Sequence, residues 1–140
     1  MNTMGNKGFK HIDRARQLLS FETMRFGKLS LTDIDGVFEY KNKAYVLIEI
    51  KYRDAPVPRG QEICLERMAK DLGKVKPTLV VVAEHYIRDT DRIVDVGKCQ
   101  VREIYYSKEG KWRKPNKLIT VKKMTRDFVN ETIEKGKETI

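Results

Sequence analysis

The residues best suited to chemistry lie in one short stretch, Thr32–Arg53, which reads TDIDGVFEYKNKAYVLIEIKYR. Asp33, Asp35, Glu49 and Lys51 lie within or beside apolar runs of this stretch. A strand that only fills a core would not carry charges there, because burying an uncompensated charge is costly. The placement of three acids and an amine therefore indicates a site.

Two strands joined by a tight turn are predicted to hold these residues. Apolar and β-branched content predicts strands over residues 33–40 and 44–51, with Lys-Asn-Lys between them as the turn. A short turn makes the two strands neighbours, so the start of the first lies opposite the end of the second. Asp35 and Glu49 are therefore expected within a few ångströms of each other.

Two carboxylates this close are unfavourable unless a cation compensates them. Magnesium prefers oxygen ligands and commonly takes one or two carboxylates. Residues two apart in a strand share a face, so Lys51 lies beside Glu49, whereas Ile48 and Ile50 point to the opposite face. The amine can hold a water or stabilise an anionic transition state. This set suits metal-assisted hydrolysis of a phosphodiester bond.

Two further polar residues are expected on helices that flank the strands. The first helix, from about residue 10 to Gly27, has an apolar stripe at helical spacing that includes one carboxylate, Glu22. The second, about residues 60–72, has Gln61 in its first turn on the face toward the sheet. A buried amide needs a polar partner, and the metal site, a water or a substrate phosphate would supply it.

The remaining segments complete an α/β sandwich with a mixed sheet and helices against its faces. In chain order they are a proline-containing loop (53–60), a buried parallel strand (77–85), a polar loop (87–97), a fourth strand (99–107), a turn with a short return strand (108–114) and a C-terminal helix (124–138). One domain over residues 1–140 is predicted, with a loose start (1–8) and a basic hairpin and tail (108–140).

Bulk composition narrows the class of partner. The net charge of +9 favours nucleic acid or an anionic surface as the partner. No run approaches the roughly 18 apolar residues of a membrane span, and the start lacks the apolar region of a secretory signal. We therefore expect no membrane and a cytoplasmic location. Two cysteines, Cys64 and Cys99, are too few for a disulfide scaffold, a zinc site or a four-thiolate cluster.

A basic segment, Lys108–Lys123, holds seven Lys or Arg residues and one acid. Cations contact phosphates, and interleaved aromatic rings stack on unpaired bases. The alternative is a charged edge that discourages sheet aggregation. The predicted nucleic-acid contacts are Lys111, Trp112, Arg113, Lys114 and Lys117, together with Tyr52 and Arg53, which directly follow Lys51.

Taken together, these motifs resemble the PD-(D/E)xK nuclease superfamily, which includes restriction endonucleases, Holliday-junction resolvases, phage exonucleases and repair nucleases. The resemblance rests on TDIDG, on IEIK beginning close after it, and on GQEICLERM, and it covers roughly residues 10–85. It implies a restriction-endonuclease-like core of αβββαβ type, with a central mixed sheet flanked by helices.

The resemblance also implies a set of metal ligands. Asp35 and Glu49 would bind magnesium, for which manganese would substitute, and the carbonyl of Ile50 would be the third ligand. Thr32 stands where the family often has proline, so Asp33 stays an alternative ligand to Asp35.

Further catalytic roles follow from the same resemblance. Lys51 would be the catalytic lysine and Gln61 the helix glutamine of many members. Glu22 would be the glutamate that several branches carry on the N-terminal helix.

The sequence thus predicts a Mg²⁺-dependent deoxyribonuclease that recognises DNA structure or ends rather than a long sequence. The small size of the chain indicates an accessory nuclease of a phage or mobile element in a prokaryotic cell, or one that works as a homodimer. The alternative is a basic nucleic-acid-binding module that keeps the fold without cleavage. The intact acid, acid and lysine set favours the enzyme.

Overall fold

The computed structural model describes residues 17–132 and residue 140 of the 140-residue chain. The chain divides into two compact units, Met1–Leu31 and Thr32–Ile140. The predicted loose start and the last part of the predicted C-terminal helix, residues 133–138, lie outside the described residues.

The described part of the first unit is a small hairpin and not a helix. Strands β1 (Arg25–Phe26) and β2 (Leu29–Ser30) pair antiparallel. Gly27 opens the two-residue turn between them with a φ of 63°, a conformation that glycine adopts easily at this position of a hairpin turn. The predicted helix is therefore wrong over residues 17–26, and its earlier part, residues 10–16, lies outside the described residues.

Glu22 accordingly lies on a turn. The N–H of Met24 donates to the carbonyl of Phe21 at 2.9 Å, which closes the turn around Glu22. Leu19 and Phe26, which the helical stripe would have buried, are 79% and 69% exposed. Apolar spacing alone does not form a helix, because most helical stability in proteins comes from packing of the apolar face.

The second unit is built on a mixed five-stranded sheet. Its strands lie side by side in chain order: β3 (Gly36–Tyr40), β4 (Ala44–Tyr52), β5 (Thr78–His85), β6 (Gln100–Tyr106) and β7 (Trp112–Arg113). Strands β4 and β5 are parallel and the other neighbours antiparallel. Two helices accompany the sheet: α1 (Arg59–Gly73) and α2 (Val121–Thr132). The predicted α/β class with a mixed sheet is confirmed.

Helices cover both faces of β4. On one face Leu47 clusters with Leu65 and Ala69 of α1. On the other, Val46 belongs to a cluster that includes Val129 of α2. No helix in the described part of the chain combines the length and the apolar character that a bilayer crossing requires.

Two element boundaries differ from the prediction. The turn between β3 and β4 is tight, as predicted, with positive φ at Lys41 and Asn42. Strand β3, however, begins at Gly36, so both aspartates precede the strand instead of lying within it. Helix α2 begins at Val121, three residues before the predicted start.

Candidate active site

Strand β4 presents its charged residues on the α1 side of the sheet. Side chains alternate along a strand, so Glu49 and Lys51 follow Leu47, which packs against α1. Ile48 and Ile50 pack partly buried against the α2-side cluster. The charged side chains and the isoleucines thus lie on opposite faces of β4, as predicted. Apolar clusters pack against both of these faces.

Glu49 is the most unusual charged group of the site. The residue is 3% exposed, and its Oε2 lies 3.1 Å from the Nζ of Lys51. Its Oε1 is buried without a hydrogen-bond partner among the described residues. Burial raises the pKa of the Glu49 carboxyl above its ordinary value, the hydrogen bond from Lys51 lowers it, and the charge of Asp35 raises it further. One carboxylate oxygen is thus paired with Lys51, and the other has no hydrogen bond among the described residues.

Asp35 is held against β4 by a side-chain hydrogen bond. The N–H of Ile50 donates to Asp35 Oδ2 at 2.7 Å. This bond continues the contact between the strands beyond the last regular pair, Gly36 with Ile48. The side chain therefore lies near Glu49, as predicted, and its negative charge acts on the Glu49 pKa.

Asp33 contributes to the cluster through its main chain. Its carbonyl accepts a hydrogen bond from Gln61 Nε2 at 3.2 Å, while the residue itself is exposed. Of the two aspartates, Asp35 is the one whose carboxylate contacts β4 beside Glu49.

Gln61 lies in the first turn of α1 and faces the sheet, as predicted. It is 8% exposed, and its Nε2 donates a hydrogen bond to the carbonyl of Asp33. The amide also lies close enough to the Glu49 carboxylate to lower its pKa slightly. Its own Oε1 is buried without a partner among the described residues. A buried acceptor without a donor is rare and indicates a missing partner.

Two unpartnered oxygen atoms of this cluster are of the type that a hard cation takes as ligands. Glu49 Oε1 and Gln61 Oε1 are oxygen atoms in need of a partner, and oxygen is the ligand atom that Mg²⁺ prefers. Across residues 17–132 and 140, no group of three or more His, Cys, Asp and Glu side chains could hold a metal ion. A cation here would therefore take its remaining ligands from main-chain carbonyls, amides or water.

A loop from β4 to α1 is fixed by an arginine that the sequence reasoning missed. Arg102 donates to the carbonyls of Arg53 at 2.6 Å and Ala55 at 2.7 Å. The β5–β6 register shifts between Val82 and Ala83, opposite Arg102, and such bulges re-aim a side chain. Arg53 itself has a φ of 53°. No sequence signal marks this bulge, because Arg102 occupies an ordinary polar position of an alternating strand.

Arg102→Ala is expected to lower the free energy of unfolding by about 2 kcal/mol, because two charge-assisted hydrogen bonds are lost. Chemical denaturation would measure the loss. Arg126→Ala, an exposed arginine of α2, is the matched control and should change stability by less than about 0.5 kcal/mol. Equal stability of the two variants would mean that Arg102 does not hold the loop.

Tyr52 and Arg53 lie at the end of β4, next to Lys51. The guanidinium carbon of Arg53 lies 5.2 Å from the centre of the Tyr52 ring, and the ring of His85 lies 5.3 Å from it. Tyr52 remains 42% exposed. Tyr52 alternates with Lys51 along β4, so its ring lies on the α2 side of the sheet, whereas Glu49 and Lys51 lie on the α1 side.

The residues of the basic segment are distributed over both faces of the sheet. Trp112 packs on the α1 side, with its ring 5.4 Å from Tyr105 and its indole N–H donating to Glu66 at 2.6 Å. Arg113 and Lys117 line a cavity of about 490 Å³ on the α2 side. The sequence prediction treated this segment as one surface, and the alternation of β7 divides it.

Lys111 and Lys114 are exposed on either side of β7.

Glu22 belongs to the first unit, whereas the other predicted site residues belong to the second.

Comparison with known proteins gives no relative: no family model, no curated protein and no solved structure matches the chain.

Proposed function

We propose that this chain is a magnesium-dependent nuclease that hydrolyses phosphodiester bonds of DNA, with the residue arrangement of the PD-(D/E)xK superfamily. The observation that carries the proposal is the state of Glu49, a buried carboxylate near the carboxylate of Asp35. One of its oxygens forms an ion pair with Lys51, and the other has no hydrogen-bond partner among the described residues. A purely structural acid would have both oxygens satisfied or would face water. Acids poised in this way are a feature of functional sites.

The ligands of the cation would be the carboxylates of Asp35 and Glu49 and the carbonyl of Ile50, with Asp33 as the alternative aspartate. When bound, magnesium supplies positive charge that offsets the two acids and polarises the phosphate. The hydrogen bond from the Ile50 N–H to Asp35 keeps the first acid beside the second.

Lys51 carries the positive charge that the protein itself provides. Its ammonium group lies against Glu49 and stays 19% exposed, so it can reach a phosphate oxygen or a water beside the site. In that position it stabilises the negative charge that develops on the phosphate during hydrolysis. Gln61 fixes the segment that carries the aspartates through its hydrogen bond to the Asp33 carbonyl.

DNA contact would come from Tyr52 and Arg53 at the end of β4 and from the exposed lysines flanking β7. The basic balance of the chain supports a polyanionic substrate, because cations offset the repulsion between the acidic cluster and phosphate. Cleavage in a prokaryotic or phage-infected cytoplasm, by one chain or by a homodimer, is part of the proposal.

Incubation of labelled duplex, single-stranded and branched DNA with the protein in Mg²⁺, Mn²⁺ or EDTA tests the function. We expect cleavage with either metal and none in EDTA. Binding of DNA without cleavage in any of these conditions would contradict the enzyme and favour a non-catalytic binding module.

Charge reversal of Lys111 and Lys114 to glutamate is expected to weaken DNA binding and to reduce the slope of log Kd against log salt concentration. Each phosphate that the protein no longer neutralises lowers that slope by about one unit. Fluorescence anisotropy over a salt series measures it, with Lys74→Glu, an exposed lysine beyond α1, as the control. An unchanged slope would mean that these lysines lie away from the DNA.

A further inference from the structure

The hairpin of β1 and β2 has an apolar side and a polar side. Phe26 is the register partner of Leu29, and the N–H of Leu31 donates to the carbonyl of Met24 at 3.2 Å, one pair further from the turn. Partners in an antiparallel pair project from the same side, and so do residues two apart in a strand. The apolar face of the hairpin therefore consists of four side chains: Met24, Phe26, Leu29 and Leu31.

This apolar face is exposed. Its four residues are, in chain order, 46%, 69%, 73% and 39% exposed, and every residue from 17 to 31 is exposed. A two-stranded hairpin is at best marginally stable in water on its own, and an antiparallel pair with one apolar side is stabilised when that side packs against another surface. The hairpin thus requires a second surface to cover this face.

The charges of the hairpin lie away from the apolar face. Arg25 and Ser30, the other register pair, project from the opposite side, and Lys28 lies in the turn. A surface that binds DNA turns its cations toward the phosphates, whereas this face presents uncharged side chains only. Two copies of the face can therefore meet without bringing like charges together, although the whole chain carries a net charge of +9.

The exposed apolar area of the first unit matches one side of a stable interface. Beside the apolar face, Leu18, Leu19 and Phe21 are 93%, 79% and 45% exposed. At roughly 100 Å² for each side chain, the apolar face and these three residues together offer about 700 Å². Each partner in an interface of standard size buries about 800 Å². The area is therefore sufficient for association of two copies.

We propose that the chain forms a two-fold symmetric homodimer in which the apolar faces of two hairpins pack against each other. Two sheets packed face to face enclose one apolar layer between them, and a two-fold axis requires a patch that is complementary to itself. Phe26 and Leu29, the most exposed residues of the face, lie at the centre of this layer. The inference goes beyond the proposed nuclease and does not depend on it.

Analytical ultracentrifugation of the full chain, without DNA or added metal, tests the proposal over about 0.1 to 100 μM protein. We expect dimer at the upper end of this range and dissociation on dilution. Phe26→Ser combined with Leu29→Ser should raise the dimer Kd at least about 100-fold, because both copies lose two apolar side chains from the interface.

The matched control replaces two exposed apolar residues of the larger unit, Ile93→Ser combined with Leu118→Ser. These residues are 68% and 88% exposed, so the control removes a similar apolar area from a different surface. Its Kd should stay within about twofold of that of the wild type, because neither residue belongs to the proposed interface.

A pair of charge variants keeps the test decisive if circular dichroism shows the double serine variant to be unfolded. Leu29→Lys and Leu29→Glu are each expected to be monomeric alone, because the same charge then meets itself across the two-fold axis. Mixing the two variants places opposite charges there and should restore dimers, which loss of folding could not do. Either variant forming a dimer as tight as that of the wild type would overturn the inference.

Other results would assign the apolar face to a different partner or to none. A wild type that stays monomeric over the whole range, or a dimer that the hairpin substitutions leave unchanged, would overturn the inference. Binding of a monomeric wild type to vesicles of anionic lipid, or to DNA, that depends on Phe26 and Leu29 would overturn it in favour of that partner.

Failure of the dimer and failure of the nuclease give different results. Metal-dependent cleavage by a protein that is monomeric at every concentration would overturn only the dimer. A dimer that depends on the hairpin but cleaves no DNA in any metal would overturn the nuclease and keep the interface.

Discussion

Replacement of Lys51 by alanine is expected to slow DNA cleavage by about 10³-fold, the usual cost of removing one group that stabilises developing charge or handles a proton. The geometry places no other described cation against Glu49: the ammonium at 3.1 Å is its one ion-pair partner in the described part of the chain. Gel assays of labelled DNA in Mg²⁺ would measure the rate.

The control for this variant is Lys70→Ala, which removes an exposed lysine from α1 and should leave the rate within about twofold. DNA binding by Lys51→Ala should stay close to that of the wild type. Since Glu49 then loses its charge partner, the melting temperature is expected to fall, and the assay must be run below it. Retained cleavage in the folded variant would remove Lys51 from the mechanism.

Glu49→Gln is expected to abolish cleavage and to stabilise the protein, two effects of opposite sign at one position. The amide has the shape of the carboxyl but no charge to desolvate, so we expect the free energy of unfolding at pH 7.5 to rise by about 1 kcal/mol. Functional residues often carry such a stability cost. Chemical denaturation measures the difference.

The pH dependence of this gain has a definite sign. Burial raises the pKa of Glu49 above its ordinary value of 4.5, so the folded state holds the proton more tightly than the unfolded state. The stability contributed by this proton is complete below pH 4.5 and is lost as the pH rises through the raised pKa. The variant should therefore match the wild type in acid and exceed it at neutral pH. A variant less stable than the wild type at pH 7.5 would mean that the buried charge of Glu49 carries no net cost.

Adding Mg²⁺ should stabilise the wild type and leave the stability of Glu49→Gln unchanged. A ligand that binds only the folded state stabilises it by mass action, so Mg²⁺ should raise the melting temperature of the wild type but not that of Glu49→Gln. This readout needs no DNA and no cleavage. Equal response of the two proteins would place any metal away from Glu49.

The arrangement of Asp35, Glu49 and Lys51 can be predicted from the sequence because alternation along a strand is a local property. The period of two along β4 is sufficient to put Glu49 and Lys51 on one face, and the short turn at Lys41 and Asn42 is sufficient to bring Asp35 opposite them. The structure adds that Asp35 precedes the strand and reaches β4 through its side chain. Sequence spacing could not show this, because Asp35 would lie near Glu49 whether its main chain or its side chain bonded to β4.

Other parts depend on long-range or competing effects that spacing does not encode. The apolar stripe before Gly27 has helical spacing, but residues 25–30 form a hairpin, and Leu19 and Phe26 of the stripe are exposed. Arg102, which holds the loop after β4, stands at a bulge in β6 that the sequence does not mark.

The most direct test of the central claim is the cleavage of one labelled DNA by wild type and Glu49→Gln, purified in parallel so that a contaminating nuclease would appear in both. We predict products with the wild type in Mg²⁺, none after EDTA, recovery when Mg²⁺ is restored in excess, and none with the variant under any condition. Absence of cleavage by the folded wild type across duplex, single-stranded and branched DNA in Mg²⁺ and Mn²⁺, or equal cleavage by both proteins, would contradict a nuclease centred on Glu49.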